Sequence, residues 1–405
     1  MNKIINTNFL CLLLFSLFVG QVYSETIIEP PSNYKKILAG TKINPYLISS
    51  LENLRWLSEN PDVWGKNIFV PFTERSFYIK RYHFTQTADI DATDTAGWNG
   101  GNGFTPIGYQ ERYSVPYYHT FEKYFCGVYD GNGFSITNLF IKHRSGYLTD
   151  DINIKEYRGS PIGLFASVRY STIKNVKLIN VNMTGFRETG ALVGSAFKSR
   201  ILNSSTSGEL FGSEASFMGG IVGTTHNKNL IQYCHSSVNL KSESFAIFGG
   251  LVSLLGYKSS IKDSYFNGSL DFNGDSYGGG IVGSGLSYHS KMKQKYRANI
   301  ENVYVVGHSP FSNSYGIIGE AEQMIINGVF WDIESTGVTE PSRKICDNTT
   351  INNIKGLTTQ TMKQMETFQN AGWDFNKIWS IDPQMNNGYP YLQCKQNDKT
   401  TLSTI

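Results

Sequence analysis

Apolar positions along this chain fall into short blocks that return in phase. One block reads Ile162-Gly-Leu-Phe-Ala166, Gly190-Ala-Leu-Val-Gly194, Gly219-Gly-Ile-Val-Gly223, Gly249-Gly-Leu-Val-Ser253, Gly279-Gly-Ile-Val-Gly283 and Tyr315-Gly-Ile-Ile-Gly319. Its third residue is always Leu or Ile, at 164, 192, 221, 251, 281 and 317, so the intervals are 28, 29, 30, 30 and 36. A repeat near 30 residues is the mark of a solenoid, in which one unit cannot bury its apolar face until a neighbour stacks on it.

A second ladder runs in phase with the first. It pairs an isoleucine with a polar residue two positions on: Ile173 with Asn175, Ile201 with Asn203, Ile261 with Asp263, Ile300 with Asn302 and, more loosely, Ile325 with Asn327. Ile231 with Tyr233 breaks the polar rule. The asparagines and Asp263 recur at equivalent places, which suits stacked turns held by side-chain hydrogen bonds. A weaker third segment closes each unit, as in Gly208-Glu-Leu-Phe-Gly212 and Gly268-Ser-Leu-Asp-Phe-Asn-Gly274. Five-residue apolar runs bounded by Gly, Asn and Ser are too short and too interrupted for helices. Three strands per unit predict an all-β chain, a right-handed parallel β-helix of about eight to ten coils stacked about 4.8 Å apart.

The ends break the pattern. Ser50 is placed to cap a helix through Glu59 with Leu51, Leu54 and Leu57 on one face. Thr358 or Thr359 caps another over 359–369, with Met362, Met365 and Phe368 as its apolar stripe. Both are expected to cover open solenoid ends. The division is then 1–24 as an export signal, 25–83 as leader and N-terminal cap, 84–335 as β-helix and 336–405 as C-terminal cap, last strand and tail.

The export signal rests on Lys3, the apolar run Phe9–Val19 and Val22-Tyr-Ser24 as a cleavage motif before Glu25. An 11-residue run is short for a span of about 20 residues, so a secreted or cell-surface monomer without an integral membrane segment is expected. The formal charge of +3, from 36 basic and 33 acidic residues, argues against nucleic acid as partner. Forty glycines and 14% aromatic residues agree with tight turns between strands. Cys126 and Cys234 sit in strand-like runs and read as buried thiols; if a disulfide forms, Cys346 and Cys394, flanking the C-terminal cap, are the pair.

From Phe84 onward several motifs follow one another: Gln86-Thr-Ala-Asp-Ile-Asp91, Trp98-Asn99, Phe104-Thr-Pro-Ile-Gly108, Phe125-Cys-Gly-Val-Tyr-Asp-Gly-Asn-Gly133, the Gly-x-Leu/Ile-Val-Gly ladder, and a close through Gly372-Trp-Asp-Phe375 and Gly388-Tyr-Pro-Tyr-Leu392. In that order, over residues 84 to 393, they resemble GLUG-motif proteins, secreted and surface β-solenoids of bacteria. The resemblance implies architecture and leaves activity open. Some GLUG-bearing chains are zinc peptidases, which need His-Glu-x-x-His; none of the seven histidines here is followed by Glu.

Candidate chemistry is confined to departures from the repeat. Ile281 to Ile300 spans 19 residues where earlier coils use 9 or 10, and the excess contains Tyr288, Lys291, Lys293, Lys295, Tyr296 and Arg297. Insertions in a solenoid emerge as loops on a face, so this one is a candidate grip on a glycan or a surface protein, through cations and aromatic rings. The same reading extends to Tyr113, Tyr117 and Tyr118; a third loop, from Lys142 through Arg158, mixes both signs of charge. The alternative is a lyase or glycosidase using Asp263, Asp271 or Asp275 with Arg297, Lys291 or His308; a third is a purely structural surface component. No cofactor or metal motif is present, and an exported, non-enzymatic, adhesin-like binding protein is the expectation.

Overall fold

Tyr46, Phe84, Tyr129, Ile173, Ile201, Ile231, Ile261, Ile300, Ile326 and Ile351 are consecutive rungs of one ladder. All but Ile351 are buried. The computed structural model describes residues 27–69, 77–109, 124–142, 161–213, 216–272, 275–285, 297–309, 313–346 and 348–393. Within them this ladder belongs to a 17-stranded parallel sheet, the long sheet, which lies beside sheets of seven and five strands. The chain is a parallel β-helix, with ten rungs on the long sheet.

Each coil follows one order. A strand of the five-stranded sheet, such as Ser216–Gly219, turns at the glycine pair into a strand of the seven-stranded sheet, such as Val222–Thr225. A second corner leads to the long sheet at Leu230–Gln232, and a bend continues it into His235–Ser242. Val193, Val222, Val252 and Val282 pair in register along the seven-stranded sheet. Leu164, Leu192, Ile221, Leu251, Ile281 and Ile317 stack beside them, none more than 1% exposed.

The corner glycines are demanded by proximity. A Cβ on Gly250 would stand 2.1 Å from the carbonyl oxygen of Gly280, and one on Gly220 2.3 Å from that of Gly250. Neither lies in the left-handed region. Left-handed backbone is instead assigned to the bend of the long sheet, where Asn175, Asn203, Tyr233, Asp263, Asn302, Gly328 and Asn353 have φ between 45° and 62°. Asn tolerates this conformation better than other residues with a Cβ, and here it also donates along the stack: Asn203 Nδ2 to Asn175 Oδ1, and Asn175 Nδ2 to Asp130 Oδ1, both at 2.7 Å.

Three expectations change. Ile325 with Asn327 is not the repeat pair: Ile300 pairs with Ile326, and Gly328 takes the left-handed place. Two adjacent isoleucines conceal which one faces inward, and a one-residue shift reverses the face. The ladder also reaches beyond 84–335, from Tyr46 to Leu357.

The C-terminal cap differs most. It forms two short helices, Thr359–Met362 and Met365–Gln369, broken at Gln364, whose backbone is extended. The break turns Met365 outward, 39% exposed, while Met362 and Phe368 are buried. This segment lies against the outer face of the long sheet. Val303 and Val305 belong to the solenoid core, whereas Tyr304 between them packs with Tyr265, Phe330, Phe368, Trp373 and Trp379. The last strands, Ser342–Ile345 and Thr350–Leu357, pair on one side only among the described residues, and Ile345 is 43% exposed. The N-terminal helix Leu51–Glu59 does form, with Ser50 Oγ accepting the Asn53 amide at 3.3 Å, and Leu54, Trp56 and Leu57 join the core.

Candidate functional site

Tyr288, Lys291, Lys293, Lys295 and Tyr296 lie outside the described residues, as do Tyr113, Tyr117, Tyr118, Cys394 and the export signal. Their points of attachment are described. Gly285 is the last residue of a strand in the seven-stranded sheet, and Arg297 precedes the long-sheet strand Ala298–Val305. The described flanks of segment 286–296 therefore lie on either side of the corner between those two sheets. Segment 110–123 leaves and returns next to the same sheet, since Ile107 bridges Phe165 and Phe125 bridges Val168. Segment 143–160 departs elsewhere, between Lys142 on the long sheet and Ile162, which bridges Thr189 of the five-stranded sheet. The described flanks of segments 110–123 and 286–296 thus lie at the seven-stranded sheet or its edge, and those of 143–160 lie apart from them.

Arg297 is tied to the scaffold: its Nη1 donates to Thr350 Oγ1 at 2.9 Å. Asp263 is only 6% exposed, receives Gln232 Nε2 at 3.0 Å and Asn302 Nδ2 at 3.3 Å, and holds a left-handed bend. That carboxylate serves the ladder. Asp271 lies on the strand Ser269–Phe272, and His308 bridges Ser269 on the neighbouring coil. Cys126 and Cys234 are buried free thiols, pushed up to about 12 by burial, which makes them poor nucleophiles. Cys346 is half-buried, and its proposed partner is among the residues not described.

What sequence reasoning missed is the corner itself. Tyr170, Lys198, Lys228 and Lys258 occupy one turn position on four consecutive coils, with φ of 53°, 46°, 50° and 57°. Backbone hydrogen bonds align them: Tyr170 N donates to Phe197 O, Lys198 N to Asn227 O and Lys228 N to Tyr257 O, at 2.8–3.2 Å. Aromatic rings are interleaved. The Arg169 guanidinium lies 4.5 Å from the Tyr124 ring and 5.6 Å from Phe197, and Lys198 Nζ lies 5.1 Å from Phe197 and 5.4 Å from Tyr170. The segments 165–174, 193–202, 222–232 and 252–262 together carry seven Lys and Arg and no Asp or Glu; two of the seven, Lys174 and Lys262, are paired with Asp130 and Glu301 at 2.7 and 2.5 Å. On a chain with 36 basic and 33 acidic residues, the local excess of cations lies at the corner itself, with Arg169, Lys198, Lys228 and Lys258. The signal was present in the sequence as Arg-Tyr, Phe-Lys, Asn-Lys and Tyr-Lys pairs at the repeat interval, but the motifs on either side overshadowed it.

No family model matches this chain. It is 26% identical over 395 residues to halomucin of Haloquadratum walsbyi, a match covering 90% of this chain and 3% of halomucin. It is 24% identical over 484 aligned residues to a candidate Gly-rich membrane protein of Evansella cellulosilytica, covering 96% of this chain and 49% of that one. The chain therefore spans half or less of these relatives. Among solved structures, it is similar to a candidate immunoglobulin A1 protease from Bacteroides ovatus, with a TM-score of 0.57, 17% identity, and coverage of 87% of this chain and 94% of the other. At that identity the likeness establishes the β-helix fold alone. No helix among the described residues is long and apolar enough to cross a membrane.

Proposed function

We propose that this chain is an exported surface or secreted binding protein, adhesin-like, whose β-helix is a scaffold for loops that contact glycans or proteins of a neighbouring surface. The observation that carries this reading is the common rooting of segments 110–123 and 286–296 at the seven-stranded sheet and its edge, beside a corner lined with cations and aromatic rings. Rigid solenoids with loops rooted on one side commonly bind through that side. The N-terminal export pattern and the motif order shared with GLUG-motif proteins support a surface location, as does the name of one relative, a membrane protein. A glycan array and a cell-binding assay test the reading, comparing the parent with a variant lacking residues 288–296. The expected result is binding by the parent that the deletion weakens; a parent that binds no glycan and no cell surface overturns it.

Hydrolysis is a second reading, favoured by one contact. Ser195 Oγ lies 3.0 Å from His226 Nε2, the geometry of a nucleophile and its base, and the similar solved structure is described as a candidate protease. Ser195 lies within a strand hydrogen-bonded on both sides, which leaves its backbone amide poorly placed to stabilise an oxyanion. Fluorophosphonate labelling of the parent, lost in Ser195→Ala, would favour this reading over binding.

A further inference from the structure

We propose that the corner bearing Lys198, Lys228 and Lys258 is a binding stripe for an acidic polysaccharide lying along the solenoid axis. The inference rests on the binding reading above and narrows it to a ligand class and a described surface.

The backbone argument comes first. This corner is left-handed at Tyr170, Lys198, Lys228, Lys258 and Gln323, a conformation unfavourable for a residue with a Cβ. The bend of the long sheet, with the same requirement, is filled by asparagines at four of its seven left-handed places. Asn or Gly would serve the corner at lower cost, yet lysine stands there on three successive coils. A strained backbone position held by a long cationic side chain points to a role for the cation.

The charge argument follows. Stacked coils set the backbones of the three lysines on a rise of about 4.8 Å, comparable with the rise of one sugar unit in an extended polysaccharide. A chain with one carboxylate or sulfate per unit can therefore meet one lysine per coil. Phe197, half-buried, already packs against the Arg169 and Lys198 cations and the Tyr170 ring, so aromatic surface and positive charge share this corner. The stripe is bounded: on the coil after the insertion the corner position is Gln323, also left-handed, and Glu322 precedes it. DNA presents a phosphate every 3.4 Å or so per strand, a poorer match to the coil rise, and the chain's near-neutral balance gives little general attraction for it.

The test compares the parent with the triple variant Lys198→Gln, Lys228→Gln, Lys258→Gln and with the triple Arg replacement at the same positions. The probes are alginate, chondroitin sulfate, neutral dextran and single-stranded poly(dT), with binding measured over a range of salt. The parent is expected to bind one or both acidic polymers and not dextran. The Gln triple should bind at least tenfold more weakly with a shallower salt dependence, the Arg triple should bind like the parent, and all three should melt alike. Unchanged binding by a folded Gln triple overturns the stripe while leaving the binding reading intact. Failure of the parent to bind either acidic polymer overturns the stripe, and if the parent also binds no glycan or cell surface the binding reading falls with it. Tighter binding to poly(dT) than to either polysaccharide replaces the ligand class.

Discussion

The amide of Ile221 donates to the carbonyl of Leu251 at 3.0 Å, and both side chains are fully buried on neighbouring coils. An apolar rung of this kind tolerates no charge. Ile221→Asp would bury an unpaired carboxylate and is expected to cost several kcal/mol, whereas Ile221→Val should cost about 1 kcal/mol. Chemical denaturation measures both. An Asp variant as stable as the parent would mean that the coil register is wrong.

The corner glycines allow space and backbone conformation to be separated. At Gly250 an added Cβ meets the Gly280 carbonyl oxygen at 2.1 Å and Phe266 Cγ at 2.4 Å, so Gly250→Ala should cost roughly 2–3 kcal/mol or prevent folding. Gly133 has φ of +84° and open space around its Cβ position. Gly133→Ala should cost only the conformational share, about 1–2 kcal/mol. Equal effects in thermal melts would show that the coils do not approach as closely as described.

Asn203 supplies a third measurement. It is left-handed, and its Nδ2 donates to Asn175 Oδ1 at 2.7 Å. Asn203→Gly removes the hydrogen bond but keeps the conformation accessible, and Asn203→Ala removes both. The expected order of stability is parent, then Gly, then Ala, with about 1 kcal/mol at each step. If Ala proved as stable as Gly, the left-handed bend would not be the reason for asparagine at this place.

Fold and site were legible to different depths, for physical reasons. Strand alternation and a period near 30 residues announce a solenoid, because every coil must present the same apolar face to its neighbours. Tyr46, Phe84 and Tyr129 are rungs of the same ladder but escaped the repeat, since an aromatic replaces isoleucine and long segments intervene. Tyr233 looked like an exception to the Asn rule, yet it is left-handed like its neighbours; the fold selects the backbone state, and asparagine is merely its least costly occupant. The apolar spacing of the C-terminal segment suits a helix and so points to an end cap. Its actual seat is created by Tyr265, Tyr304 and Phe330, which are aligned only once the coils are stacked. The Lys198, Lys228 and Lys258 column is of the same kind. Each lysine is unremarkable alone, and register makes them a stripe.

His235 links that aromatic column to pH. Its ring stacks on Tyr265 at 4.8 Å with an interplanar angle of 2°, and Tyr265 stacks in turn on Tyr304 at 4.9 Å. Burial lowers its pKa from the ordinary 6.5 to about 4. Above pH 6.5 the imidazole is neutral in both folded and unfolded chains and contributes no pH dependence. Between pH 6.5 and 4 the unfolded chain holds the extra proton, so stability falls as pH falls, and below about 4 the loss is complete. At about 1.4 kcal/mol per pH unit, discounted for partial exposure, the loss is of order 1–3 kcal/mol. His235→Phe keeps a flat ring in the stack and cannot titrate, so its melting temperature should drop less than the parent's between pH 7 and pH 4.5. Identical drops in the two proteins, or a His235 ring proton titrating near 6.5 by NMR, would show that the stack does not exclude the charged imidazole.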